Sequence, residues 1–103
     1  MSIKIKQNDS FPPFCCTLLS TSPIDLTTAI AINFVWRLHG SSDRHVGTMT
    51  LVDAPTNKVQ YNWGGTSTGV PGTFDCQVEV TFPGGVMTFP NDGYFTLIVT
   101  PTI

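Results

Sequence analysis

Between Thr73 and Phe82 the chain alternates without a break: Phe74, Cys76, Val78, Val80 and Phe82 are apolar, while Thr73, Asp75, Gln77, Glu79 and Thr81 are polar. A period of two lines all the apolar side chains on one face of an extended strand and would scatter them around a helix. The segment is therefore a strand with one buried and one wet face, and its buried face needs a second layer to cover it. Three further rows carry the same signature. Ile3 and Ile5 alternate with Lys4 and Lys6. Ile30, Ile32, Phe34, Trp36 and Leu38 alternate with Ala31, Asn33, Val35 and Arg37, and Phe95, Leu97 and Val99 with Tyr94, Thr96, Ile98 and Thr100. No segment sustains helical spacing, and β-branched residues abound.

Turn-forming residues separate these rows. Gly40-Ser41-Ser42-Asp43 follows Leu38, Ala54-Pro55-Thr56-Asn57 divides Thr48 to Asp53 from Val59 to Trp63, and Gly64-Gly65 opens a loop that runs to Gly72. Pro83-Gly84-Gly85 and Asn91-Asp92-Gly93 suit tight hairpins, because glycine, asparagine and aspartate tolerate positive φ. The spacing predicts an all-β domain of about seven to eight short antiparallel strands, a sandwich or a barrel, spanning residues 1–103 as one unit. Phe34, Trp36, Phe74, Val78, Val80, Leu97 and Val99 are the expected core.

Composition removes several classes of function. Of 103 residues 41% are hydrophobic and 12% charged, against roughly 25% charged in typical domains, which argues against disorder. Five basic and seven acidic residues give a net charge of −2. Neither nucleic-acid binding nor a polybasic membrane contact is expected. The longest apolar stretch, Leu26 to Trp36, is about half the roughly 20 residues that a membrane-spanning helix needs, and it contains Thr27, Thr28 and Asn33. Membrane insertion is not expected, and Met1 to Lys6 lacks the apolar core of a secretion signal. Cys15, Cys16 and Cys76 make an odd count with one adjacent pair. That reads as reduced thiols in a protein folded in a cytoplasm, with Cys15 and Cys16 on opposite strand faces.

The candidate chemistry is thin. Gly64 and Gly69 have the spacing of a phosphate-cradling loop, but Val70-Pro71 replace the required Lys and Ser or Thr. His39, Asp43 and His45 could offer metal ligands, yet no fourth ligand has matching spacing, and solvated loop histidines are the simpler reading. The cysteines read as small core residues rather than nucleophiles. Asp75 and Glu79 share a strand face, about 13 Å apart in an extended chain, too far for a glycosidase pair. Asn8-Asp9-Ser10 fits a glycosylation sequon without a secretion signal to make it usable. No catalytic, metal or cofactor-binding residue is assigned, and an enzyme is not expected. Tyr61 and Trp63, two residues apart, would form a stacking platform or an interface anchor if exposed; the competing assignment packs both in the core. Val35 and Ile98, opposite the core rows, are further candidates for outward apolar contact. Phe11-Pro12-Pro13-Phe14 is a stiff segment able to clip the sheets together or dock on a neighbour.

The ordered features resemble a known family. Asn8-Asp9-Ser10-Phe11-Pro12-Pro13, then Ile24-Asp25-Leu26-Thr27 before a long strand, are followed by Tyr61-Asn62-Trp63, Pro71-Gly72-Thr73-Phe74, Gln77 to Phe82, and Thr88-Phe89-Pro90-Asn91-Asp92-Gly93-Tyr94. The series is similar to the immunoglobulin-like N-terminal domain of tailed-phage baseplate upper proteins. The resemblance implies an immunoglobulin-like β-sandwich and a non-enzymatic virion module in the baseplate, tail or neck, or a decoration protein, assembled in the host cytoplasm. Its implied partners are other virion proteins, and the residue pattern leads us to expect contacts with them and with further copies of the chain through Tyr61, Trp63, Val35 and Ile98. The alternative is a carbohydrate-binding module that stacks a host glycan on Tyr61 and Trp63. Phe74 stands where such domains often carry Tyr. Family members continue into trimerising segments, whereas this sequence ends at Ile103, so a small stand-alone tail, neck or decoration protein is the expectation.

Overall fold

The computed structural model describes residues 2–19, 24–64, 68–90 and 93–103. Its strands, in chain order, are β1 (Ser2–Lys6), β2 (Phe14–Thr17), β3 (Ala31–Leu38), β4 (Arg44–Thr48), β5 (Thr50–Asp53), β6 (Lys58–Tyr61), β7 (Gly72–Phe82), β8 (Gly85–Phe89) and β9 (Phe95–Thr100). The Gly64–Gly69 loop and the Asn91-Asp92-Gly93 turn include residues 65–67 and 91–92, which lie outside the described residues.

The unbroken alternation that begins at Thr73 builds β7, which pairs with β3 along one edge and with β9 and β8 along the other. The larger sheet runs β1-β9-β7-β3-β4, with β8 beside the second half of β7, and the smaller runs β2-β6-β5. The two sheets pack face to face as an all-β sandwich. One pairing departs from the antiparallel expectation: β1 lies parallel to β9, with Ile3 beside Leu97 and Ile5 beside Val99.

All seven residues expected in the core are buried. The smaller sheet adds Phe14, Val59 and Tyr61, and Trp63 follows β6 into the same cluster. The row beginning at Ile30 is shorter than its alternation suggests. Ile30 and Leu38 are exposed because they lie at or beyond the ends of the covering layer. Thr48 to Asp53 is two strands rather than one. At Met49 the chain leaves the larger sheet for the smaller, its side chain buried between them and its N–H donating to Ile32 O at 2.8 Å. Asn57 closes the β5–β6 turn with φ 56°, a left-handed conformation that asparagine tolerates.

The outer strand β4 lies close over the core ring of Tyr61. A Cβ added at Gly47 would fall 2.8 Å from Tyr61 Cζ and Oη, inside any normal contact distance. The ring cannot retreat, because it stacks on Phe34 at 4.9 Å and meets Trp63 edge-on at 5.4 Å. Gly47→Ala should therefore lower stability by about 1–3 kcal/mol through overpacking, measured by urea unfolding; an unchanged midpoint would mean that Tyr61 has room to move.

Candidate interaction surface

The outward face of the larger sheet carries two arginines and two acidic residues brought together by strand register. Arg37 on β3 stands beside Asp75 on β7 and Arg44 on β4. Arg37 Nε lies 3.5 Å from Asp75 Oδ2, and His39 Nδ1 is 3.1 Å from Asp75 Oδ1. Four residues along β7, Arg44 Nη2 donates to Glu79 Oε2 at 2.8 Å, and Gln77 Nε2 donates to the same oxygen at 3.0 Å. The Arg37 guanidinium also sits 4.9 Å from the centre of the Tyr94 ring. The arginine partners are exposed while Asp75 and Glu79 are 15% and 23% exposed, and each such surface pair contributes about 0.2–1 kcal/mol. Together they bind three strands through side chains as well as backbone. Asp75 and Glu79, expected as solvated strand residues, are thus cross-strand partners of arginine.

This lattice explains a correction at Val35. As an apolar residue opposite the core row it was expected to face outward and be available for contact. It does point outward, but only 5% of it is exposed. Val35 shares a small cavity of about 90 Å³ with Arg37, Arg44, Gln77 and Tyr94. Long polar side chains cover apolar surface with their methylene stems while their heads stay in water. Ile98, on the same face, remains partly exposed between Lys4 and Thr73.

Tyr61 and Trp63 form no surface platform. Each is 6% exposed, and Trp63 Nε1–H donates to Pro12 O at 2.9 Å. That bond ties the Phe11-Pro12-Pro13-Phe14 segment to the end of β6, so this segment clips the sandwich from inside. Phe14 enters the core and Phe11 stays outside. The burial was readable, because Val59, Tyr61 and Trp63 form their own period-two row against Gln60 and Asn62. Trp63→Ala should consequently destabilise the fold by about 3–5 kcal/mol, seen as a lowered thermal midpoint. Folding with wild-type stability would return Trp63 to the surface.

His39 and His45 go separate ways: His39 pairs with Asp75, whereas His45 stacks on Trp36 with ring centres 5.5 Å apart. Among the described residues, no three histidine, cysteine or acidic side chains converge as metal ligands. The three cysteines are free thiols. Cys15 is exposed with its Sγ 3.5 Å from Gln60 Oε1. Burial, reinforced by neighbouring Cys15, pushes the Cys16 thiol up to about 11. Burial, with the Asp75 charge adding to it, takes Cys76 to about 12. Since the thiolate is the nucleophile, both are unreactive near neutral pH. Ellman's reagent at pH 8 should titrate one thiol rapidly in the native protein and all three in denaturant. Rapid modification of Cys15→Ser would contradict this placement.

Among the described residues, the free side of β2 faces open surface. A cleft of about 530 Å³ is lined there by Cys15, Cys16, Thr17, Leu18, Leu19, Val78, Phe89, Pro90, Tyr94 and Phe95. It is the place where an immunoglobulin-type sandwich carries a further strand beside its second one. In this chain the first strand pairs with β9 instead. Leu19 is 79% exposed at one end of β2 and Phe11 80% exposed at the other side of the strand's start. Sequence reasoning missed this surface, since the period of two identifies strand faces and says little about which edges find partners. Neither a family model nor a curated protein matches this sequence.

Proposed function

We propose that this chain is a non-enzymatic structural module of a phage virion, acting through protein–protein contacts in the baseplate, tail or neck, or as a decoration protein. The observation that supports this reading best is the combination of a rigid, aromatic-cored sandwich with open strand edges flanked by large exposed apolar residues. Phe11, Leu19, Val46, Val52 and Val86 all lie on or beside edge strands. Unpaired edges are templates for pairing with another chain, and apolar residues beside them add the desolvation that a specific contact requires. The sequence resemblance, carried by the Phe-Pro-Pro opening and the Thr88 to Tyr94 series, supplies the virion context. In such a particle the chain would occur in several symmetric copies. The glycan-stacking alternative is set aside, because it depended on Tyr61 and Trp63 being exposed.

Particles of the phage that encodes this sequence, purified by density gradient, should contain the chain. Amine cross-linking should join Lys4, Lys6 or Lys58 to another virion protein, identified by mass spectrometry. A chain that stays with the free proteins of the lysate and is missing from particles would overturn the assignment.

A further inference from the structure

The backbone at β2 defines one of the open edges closely enough to say what fits it. Leu18 N–H donates to Asn57 O at 3.0 Å, and Cys16 and Phe14 lie opposite Val59 and Tyr61. Antiparallel bonding alternates along a strand, so residues 14, 16 and 18 turn their backbone groups toward β6. Cys15 and Thr17 therefore point their N–H and C=O groups away from the sheet. Among the described residues, no strand pairs with that side of β2.

We infer that the partner of this edge is a second copy of the chain, joined β2 to β2 about a two-fold axis. A two-fold axis brings an edge against itself, so like charges near it meet and repel. β1 carries Lys4 and Lys6 along its edge, β4 carries Arg44, and β5 carries Asp53 with a register shift beside it. Phe14 to Leu19 carries no charged side chain, and burial keeps the Cys16 thiol neutral. β8, the other uncharged edge, borders the same opening and contributes Phe89 to the cleft.

The register follows from Pro13, which has no N–H to donate. Centring the pair on Cys15 would set Pro13 against Thr17 and lose a bond within β2, whereas centring it on Cys16 moves that loss to Leu19, beyond the strand's end. Centring it on Cys16 pairs Cys15 with Thr17 of the second copy, and each such pair exchanges two hydrogen bonds. The same reversal lays the C-terminal end of one β2 on the N-terminal approach of the other. Leu19 then falls opposite Pro13 and near Phe11 of the second copy. The two most exposed apolar side chains beside this strand thereby cover one another, and the clefts meet across the axis. The smaller sheets fuse into one layer, β5-β6-β2-β2-β6-β5.

This surface rests on the reading of the chain as a multi-copy assembly module. It is tested on the purified chain alone, so it can fail while incorporation into particles holds, and the reverse. Sedimentation equilibrium of the full chain under reducing conditions should show a reversible dimer. Thr17→Pro removes only an outward N–H and should weaken association by roughly tenfold or more, with the circular dichroism spectrum retained. If that variant fails to fold, the Cys15→Lys, Thr17→Lys pair keeps the backbone and sets like charges across the seam, with the same expected loss. A wild-type chain that remains monomeric, or a dimer that a folded edge variant leaves intact, would overturn the inference. The first outcome would assign the edge to a strand of another protein.

Discussion

The sandwich depends on one ring. Phe34 is fully buried at the centre of β3, and five other aromatic side chains approach it. Phe14 and Tyr61 reach it from the smaller sheet, Trp36 and Phe95 from its own, and Trp63 from the segment after β6, with ring centres 4.9–6.0 Å away. Offset and edge-on geometries give such pairs about 0.5–1.5 kcal/mol beyond simple burial. The cluster also sets the position of both sheets, because rings cannot flatten or fold as aliphatic chains can. A smaller sheet of only three strands has little backbone pairing of its own, and its alignment comes from these rings.

That inward concentration of aromatic side chains shapes the surface. With Tyr61 and Trp63 committed to the core, no stacking platform remains where the sequence offered one. The outer face of the larger sheet is held by Arg37, Asp75, Arg44 and Glu79, whose charges satisfy one another, with Gln77 donating to Glu79. What the fold leaves unsatisfied is edge backbone and the apolar side chains beside it.

The large sheet was legible in the sequence because its strands alternate over many residues. Thr73 to Phe82, Ile32 to Trp36 and Phe95 to Val99 each state a face unambiguously, and all face the core. Pairing direction was not legible: Ile3 and Ile5 mark β1 as half-buried without revealing that it runs parallel to β9. The switch of sheets at Met49 was hidden because one residue between two strands leaves no turn signature. Val35 was misplaced for a physical reason, since alternation reports which face a side chain takes and cannot report that arginine and glutamine stems lie over it. At β2, Phe-Cys-Cys-Thr is too short for a pattern, so the edge it forms emerged only from register and bonding. The two-layer architecture was legible from the short strands separated by turn residues along the chain.

Aromatic side chains around Phe34 bridge the two sheets and set how they pack. Nuclear Overhauser spectroscopy on selectively labelled phenylalanine and tyrosine measures that bridge directly. Strong cross-peaks from the Phe34 ring to both Phe14 and Tyr61 are the expected result. Their absence, with Phe34 seeing only neighbours on β3 and β7, would mean that the sheets do not pack as described and that the surfaces derived from that packing do not exist.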